Sequence, residues 1–237
     1  MQRADKRQEK LFDAYAENYV NGVDNELSAV LKGSSHEYFN RYKIFYIKKL
    51  FQKLSQPLKI LDYGCGVGLF SRTISDVIPN VTIYGFDVSS KSIEQVPSEL
   101  RIKNHNRFTS NLDELDSDYN IALLVTVLHH VETYIERIEV MTNIYQRLSK
   151  GGICIIIEHN FKNPLTNRIV KNSPVDEEKF MLTPSECKRL LEKAGFLNIF
   201  SRYIVFFPKQ LSFLRFIDQF IPWLPLGAQH LTYGYKY

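Results

Sequence analysis

The chain has 237 residues, 44% of them hydrophobic and 24% charged, a balance that suits one globular domain or a domain with an elaboration. The net charge of +4 is mild and no Lys/Arg run exceeds a pair, so no nucleic-acid partner is expected. Cys65, Cys154 and Cys187 are widely spaced with no C-x-x-C, which argues against a disulfide framework and a zinc site. The polar, mixed-charge N-terminus is unlike a secretory signal, and no apolar run approaches the roughly 20 residues that cross a bilayer. A cytoplasmic protein is expected.

In chain order, residues 8–20 and 36–54 carry helical periodicity. Tyr38, Tyr42, Phe45, Ile47, Leu50, Phe51 and Leu54 give the second a broad apolar face. Residues 1–57 therefore read as a helical N-terminal lead-in, or cap, before a main domain over 58–237. Ile60-Leu61 is a short buried strand ending at Asp62. Gly64, Gly66 and Gly68 make a turn, and a helix begins at Leu69. Strands are predicted over Val81–Asp87, Arg107–Ser110, Ile121–Thr126 and Ile153–Ile157. Helices are predicted after Ser89 and over 133–148, with Gly151-Gly152 closing the latter in left-handed geometry. Continuous apolar strands mean burial on both faces, and alternating βαβ units imply an α/β, doubly wound, mostly parallel sheet. Thr183-Pro184-Ser185-Glu186 is a capping box opening a helix that stops at Gly195. Phe196–Phe207 and Gln229–Tyr237 read as two final strands. Two insertions, a loop-rich one at 160–182 and one at 208–228, are expected to cover substrate.

The strand–glycine turn–helix unit cradles a nucleotide-like ligand, because backbone without Cβ atoms can approach it closely. A dinucleotide fold wants G-x-G-x-x-G, and the position of its third glycine holds Leu69. With Asp62 two residues ahead, the stretch instead resembles the D-x-G-x-G-x-G signature of class I methyltransferases, which bind S-adenosylmethionine (SAM). Leu-His-His-Val at 128–131 and Leu148-Ser149-Lys150-Gly151-Gly152, where Lys150 replaces a proline, extend the resemblance over roughly residues 59–200. It implies a Rossmann-like, seven-stranded sheet ending in an antiparallel hairpin, with SAM as cofactor.

An acid at Asp87, at the end of the second strand, can accept from both ribose hydroxyls; its plainer role is to cap the next helix. In the family Asp62 serves the methionyl ammonium end, and a turn-stabilising carboxylate is the alternative. Gly64, Cys65, Gly66 and Gly68 form the cradle. Asn111 stands where the family carries an acid near the adenine amino group; Asn keeps an acceptor without the charge, and an Asx-turn is the rival reading. Val88 and Leu112 are expected to sandwich the adenine and Val125, with Thr126, to line the methionyl side, unless they are core. Phe12, Tyr15 and Tyr19 resemble the F-x-x-x-A-x-x-Y lead-in of small-molecule methyltransferases, which folds over the cofactor; helix packing competes.

The resemblance implies methyl transfer to a small molecule, most readily at oxygen. A hydroxyl acceptor needs a general base near neutral pKa. His129-His130 and Glu158-His159 follow the fourth and fifth strands, where open α/β sheets bind ligands. His129 is the favoured base, with Glu158 as its carboxylate partner; structural histidines are the alternative. No metal is expected, because the carboxylate-rich set that suits magnesium is absent. Rival functions are N-methylation of a small amine or sugar, methylation of a lipid-linked acceptor, and a noncatalytic SAM-binding subunit. The N-P-P-Y type motif of base methylation is missing after the fourth strand. Residues 206–227 crowd Phe206, Phe207, Phe213, Phe216, Phe220 and Trp223 into one stretch, with Asp218 the sole acid after Gly195. Three readings compete there: core or a homodimer interface, a peripheral membrane contact, and the wall of a pocket for a lipid-like acceptor. The oligomeric expectation is a monomer or homodimer.

Overall fold

The structure, a computed structural model, describes Lys10, Phe12, Asp13 and residues 35–52, 54, 57–172 and 181–237. The strands are Leu58–Tyr63 (β1), Val81–Phe86 (β2), Arg107–Thr109 (β3), Tyr119–Val125 (β4), Leu148–His159 (β5), Leu197–Ile204 (β6) and Gln229–Tyr235 (β7). Among the described residues they form one seven-stranded sheet in the order β3-β2-β1-β4-β5-β7-β6. The first five run parallel, and β7 is antiparallel to both β5 and β6. The order reverses direction between β1 and β4, and β1, β2 and β4 all deliver their carboxyl ends to that place.

Alternation along the strands divides the core in two. Ile60, Ile121, Leu123, Ile153 and Ile155 point to one face, with helices His36–Phe51 (α1) and Leu69–Val77 (α2). Leu61, Ala122, Leu124, Cys154 and Ile156 point to the other, with Tyr134–Arg147 (α5) and Pro184–Ala194 (α7). Two short helices, Ser90–Glu94 (α3) and Ser98–Ile102 (α4), link β2 to β3. Both large helices on the second face start with full capping boxes, Thr133/Glu136 and Thr183/Glu186, and Gly195 ends α7 at φ 97°. Each reciprocal cap satisfies two of the donors that a helix start leaves orphaned.

Three expectations need correction. Gly151 does not close the helix. α5 ends at Arg147, Leu148 is already extended, and Gly151 (φ 77°) lies inside β5. Between the pairs Tyr119–Leu148 and Ile121–Ile153 the register skips, so Gly151 serves a bulge whose amide goes to Lys236 O at 2.7 Å. The 160–182 insertion is less loop-rich than expected, because Pro164–Asn172 (α6) is helical. Asn163 starts it by accepting from Leu165 N and Thr166 N at 2.9 and 3.1 Å, with Pro164 in the first turn. On α1, Phe45 is 52% exposed while Tyr42, Ile47 and Phe51 are buried, so the apolar stripe is narrower than the composition suggested. Among the described residues, no helix is long and apolar enough to cross a membrane.

Candidate functional site

The glycine turn between β1 and α2 is held from two sides. Gly64 N and Cys65 N both donate to Phe86 O, at 2.7 and 2.9 Å, and Gly68 N donates to Cys65 O. Gly64, Gly66 and Gly68 have φ of 76°, 52° and 81°, which L side chains resist. Gly64 has a second constraint: a Cβ there would come within 2.6 Å of Val127 Cγ2. A Cβ on Gly66 would instead meet nothing within 4 Å. The loop thus presents bare backbone outward at its middle while its first glycine is packed against the β4 side. Cys65 is buried, and burial pushes its thiol well above the ordinary value, so it is packing rather than a reactive group.

Asp87 follows β2 and is 8% exposed. Its Oδ2 accepts from Gly66 N at 2.8 Å and its Oδ1 from Ser89 N at 2.9 Å. Each oxygen keeps a second lone pair, so the carboxylate can still take two hydroxyl donors. Ser89, not Asp87, caps α3, accepting from Ser92 N. Burial raises the Asp87 pKa, backbone donors from Ser89 and Gly66 oppose that, and the charge of Asp13 adds to it. The glycine backbone and a diol-competent carboxylate are bound together directly, and this donor and acceptor set fits the ribose of SAM.

Asp62, at the end of β1, is 2% exposed and accepts from Ser71 Oγ at 2.5 Å. Burial pushes its pKa up to about 6; the Ser71 bond lowers it, Asp87 raises it and Lys43 lowers it. Lys43 of α1 was not singled out from the sequence. It is 8% exposed, lies 3.3 Å from Asn40 Oδ1 and faces the Phe70 ring. Burial lowers it to about 8, against the pull of Asp62. The signal was present: a lysine shares the buried stripe with Asn40, Ile47 and Leu50 on a helical period.

Across the switch point lies a second cluster. Thr126 turns the chain after β4 with φ 57°, an outlier for a β-branched residue, and its amide donates to Ile157 O at 2.7 Å. This sends Leu128–His130, a single 3₁₀ turn, back over the end of β5. Glu158, fully buried in β5, accepts there from Val127 N and Leu128 N at 3.2 and 2.8 Å through Oε1. Its Oε2 meets His129 Nδ1 at 2.6 Å. Burial favours the acid form of Glu158, yet the imidazole of His129, with His159 and His230, outweighs it and holds the carboxyl well below its ordinary range. The ring of His130 lies 4.0 Å from that of His129, and His159 5.6 Å. The structure brings all four predicted residues together. It adds His230 of β7, paired in register with Glu158, with Nε2 2.9 Å from Leu182 O. Burial lowers the His230 pKa. Among the described residues, no group of three or more His, Cys, Asp or Glu is arranged to hold a metal ion.

The leader touches both halves. Phe12 packs edge-on to His130 at 4.9 Å, while Ser89 Oγ donates to Asp13 Oδ1 at 2.6 Å. Tyr15 and Tyr19 lie outside the described residues. Asn111 is exposed; its Oδ1 accepts from Asp113 N in an Asx-type cap, and its Nδ2 reaches Glu114. Val88 and Leu112 are half-buried against the core cluster that holds Leu61, and Val125 against the one that holds Ile60.

A model of the methyltransferase domain family matches residues 35–199. The chain belongs to that family. It is an S-adenosylmethionine-dependent methyltransferase with the Rossmann-like fold of the class. This methyltransferase is 32% identical over 174 residues to a ubiquinone biosynthesis O-methyltransferase of Rickettsia bellii, a match covering 65% of the chain and 67% of that relative. It is 23% identical over 167 residues to an Escherichia coli O-antigen chain terminator bifunctional methyltransferase/kinase, of which the match spans 21%. Among solved structures, a putative O-methyltransferase of Nostoc punctiforme superposes with a TM-score of 0.62 at 17% identity, over 95% of this chain and 60% of that one. The Haemonchus contortus phosphoethanolamine N-methyltransferase 2, solved with S-adenosyl-L-methionine, gives 0.61 at 12% identity over the same shares. At such identities the structures establish the fold alone.

Proposed function

We propose that the methyltransferase methylates a hydroxyl of a small-molecule acceptor, with His129 as general base. The observation that carries this reading is the buried 2.6 Å contact between His129 Nδ1 and a Glu158 carboxylate already fixed by two backbone amides. An ionised carboxylate accepts only, so Nδ1 carries the proton and Nε2 is the basic nitrogen.

In this reading Gly64, Gly66 and Gly68 approach the cofactor with backbone, Asp87 takes the ribose hydroxyls and Asp62 faces the methionyl ammonium. When bound, SAM supplies a methyl group on a sulfonium, which is an activated leaving group. The protein's own work is alignment, exclusion of water and removal of one proton. His129 Nε2 accepts the hydroxyl proton as the acceptor oxygen attacks. Glu158 stays ionised, holds the ring by Nδ1–H and stabilises the imidazolium that forms. His130 and His159 pack against that ring and restrict its rotation. Asn111, Val88, Leu112 and Val125 are proposed to surround the adenosine, Asn111 through its backbone and outer amide edge since its carbonyl caps a turn. A hydroxyl acceptor agrees with the similarity to the Rickettsia O-methyltransferase.

The test is transfer of labelled methyl from SAM to a panel of phenols, sugars and amines. His129→Ala should lower turnover of the best hydroxyl acceptor by about 10²–10⁴ with little change in SAM affinity. A rate that ignores both this substitution and pH would remove His129 as base and favour an amine acceptor.

A further inference from the structure

The connector between β6 and β7 reverses the usual arrangement of a surface loop. Several of its polar groups are bonded inward, to α1, β6 and the turn before α6. Asp218 is 1% exposed and its Oδ2 accepts from Tyr42 Oη at 2.5 Å and from Tyr46 Oη. Arg215 lies over the Tyr42 ring at 4.0 Å. Phe207 O takes the Tyr38 hydroxyl, Pro222 O takes Tyr203 N, and Asn160 and Asn163 donate to the carbonyls of Pro225, Leu226 and Gly227. The segment is therefore mounted on α1 and on the turn before α6 by their side chains, and on β6 by its backbone. Its large apolar groups point the other way. Phe213, Phe216, Phe220 and Trp223 are 70, 64, 67 and 72% exposed, and Leu211 and Leu226 are also exposed.

Exposed aromatics at this density mark a contact surface. Charge decides what it meets. After Gly195 the sequence has one acid, Asp218, and it is buried, whereas Lys209 is exposed and Arg215 half-exposed among the aromatics. Beside them α6 and the turn before it show Lys162, Arg168 and Lys171, again exposed and without an acid from Asn160 to Asn172. A self-complementary dimer would set these cations against their own copies. The core of a protein interface is depleted of lysine as well. Aromatic anchors rimmed by cations match the boundary region of an anionic bilayer, where rings sit at headgroup level and cations meet lipid phosphates.

We propose that residues 209–226, with the exposed side of α6, form a peripheral docking surface for anionic lipid bilayers. Register fixes its orientation relative to the catalytic end. Gln229 pairs with His159 and with Ile204, so the connector emerges at the carboxyl end of β5, the end that carries Glu158. Docking thus takes place at the end of the sheet that carries the catalytic cluster. The proposal concerns binding and does not depend on the acceptor's chemistry.

Trp223 is the sole tryptophan of the chain, so its emission reports the surface directly. Full-length protein is titrated with vesicles of phosphatidylcholine alone and of phosphatidylcholine mixed with phosphatidylglycerol. The expected result is a blue shift with the anionic vesicles, about tenfold weaker binding to the neutral ones, and release by high salt. The double substitution Phe213→Ser/Phe216→Ser should weaken vesicle binding by about tenfold or more while melting temperature and SAM affinity hold. Trp223 emission unmoved by anionic vesicles overturns the proposal. So does a wild-type dimer in light scattering that the double variant disperses, which would assign the surface to a second copy. A large fall in the variant's melting temperature would make the rings structural and overturn it too.

Discussion

Asp62 of β1 and Glu158 of β5 lie on either side of β4 at the carboxyl end of the same sheet, both withdrawn from water, and their surroundings shift their pKa values in opposite directions. Asp62 has one hydroxyl donor and a cation, Lys43, that burial itself weakens, and its pKa is pushed up to about 6. Glu158 has two backbone amides and an imidazole in hydrogen-bond contact, and it is held well below its ordinary value. Burial alone favours the neutral acid in both; the difference is in what has already neutralised the charge. A carboxylate left short of positive charge is poised for a cationic group from a ligand, and the ammonium of SAM is one. A fully buried carboxylate that already holds three protein donors works instead by fixing its histidine. The β1–β2 half of the site is therefore incomplete until something binds, and the β4–β5 half is preassembled.

The largest effect should come from breaking the preassembled half. Glu158→Gln keeps a carbonyl oxygen for the Val127 and Leu128 amides, so the fold should hold. Its amide would donate to His129 Nδ1, which forces the proton onto Nε2 and removes the base. Turnover with a hydroxyl acceptor should fall by about 10⁴, with SAM affinity nearly unchanged. Combining it with His129→Ala should cost little more, since the two act as a unit. Single-turnover methyl transfer alongside calorimetric SAM binding checks both halves of this expectation. Additive losses in the double variant would show that Glu158 acts apart from His129.

The incomplete half should respond the other way round. Asp87→Ala removes an acceptor bonded to the glycine loop, and SAM binding should weaken by about 1.5–3 kcal/mol, the scale of a hydrogen bond to a charged group. Calorimetry with the demethylated product in place of SAM should give a similar loss, because the ribose is common to both. If instead the bound-state rate falls and affinity does not, the division between the two halves fails.

How far the sequence reaches differs between the halves for the same physical reason. The loop from Asp62 to Gly68 is local: its φ angles demand glycine, and strand, turn and helix follow one another in ten residues, so the cradle is legible. Asp87 is legible from its place at a strand end. The alternating strands gave the sheet, and split its side chains between two faces, without any knowledge of packing. Pairing across the sheet is not local. His230 faces Glu158 only because β7 lies antiparallel in a given register, which no pattern within β7 announces. Nor does the sequence say that Tyr42 and Tyr46 of α1 hold Asp218, some 170 positions on, and so turn the aromatic connector outward. Composition identified that stretch as unusual, and left open which way its rings face. The Asn163 cap is local, yet a polar stretch rich in Asn and Pro describes a loop equally well.

The smallest effect sharpens the contrast most directly, because it measures the Asp62 charge without any ligand. A buried acid whose folded pKa is raised binds its proton more tightly when folded. Over the window from its ordinary 3.8 to about 6 the folded state then holds more protons than the unfolded one, and stability drops as pH rises. Asp62→Asn removes this term. The amide keeps an oxygen for Ser71 and occupies nearly the same volume, so packing is preserved. Lys43 loses its negative neighbour, and that offsets part of the gain at every pH where Asp62 is charged. Urea unfolding of both proteins without SAM at the two ends of the window should show the variant gaining on the wild type with rising pH, by on the order of 1–2 kcal/mol. The same variant should bind SAM more weakly, so stability and affinity move in opposite directions. A stability difference that stays constant from pH 4 to 6 would mean that Asp62 is as well neutralised as Glu158, and the contrast between the two carboxylates would be lost.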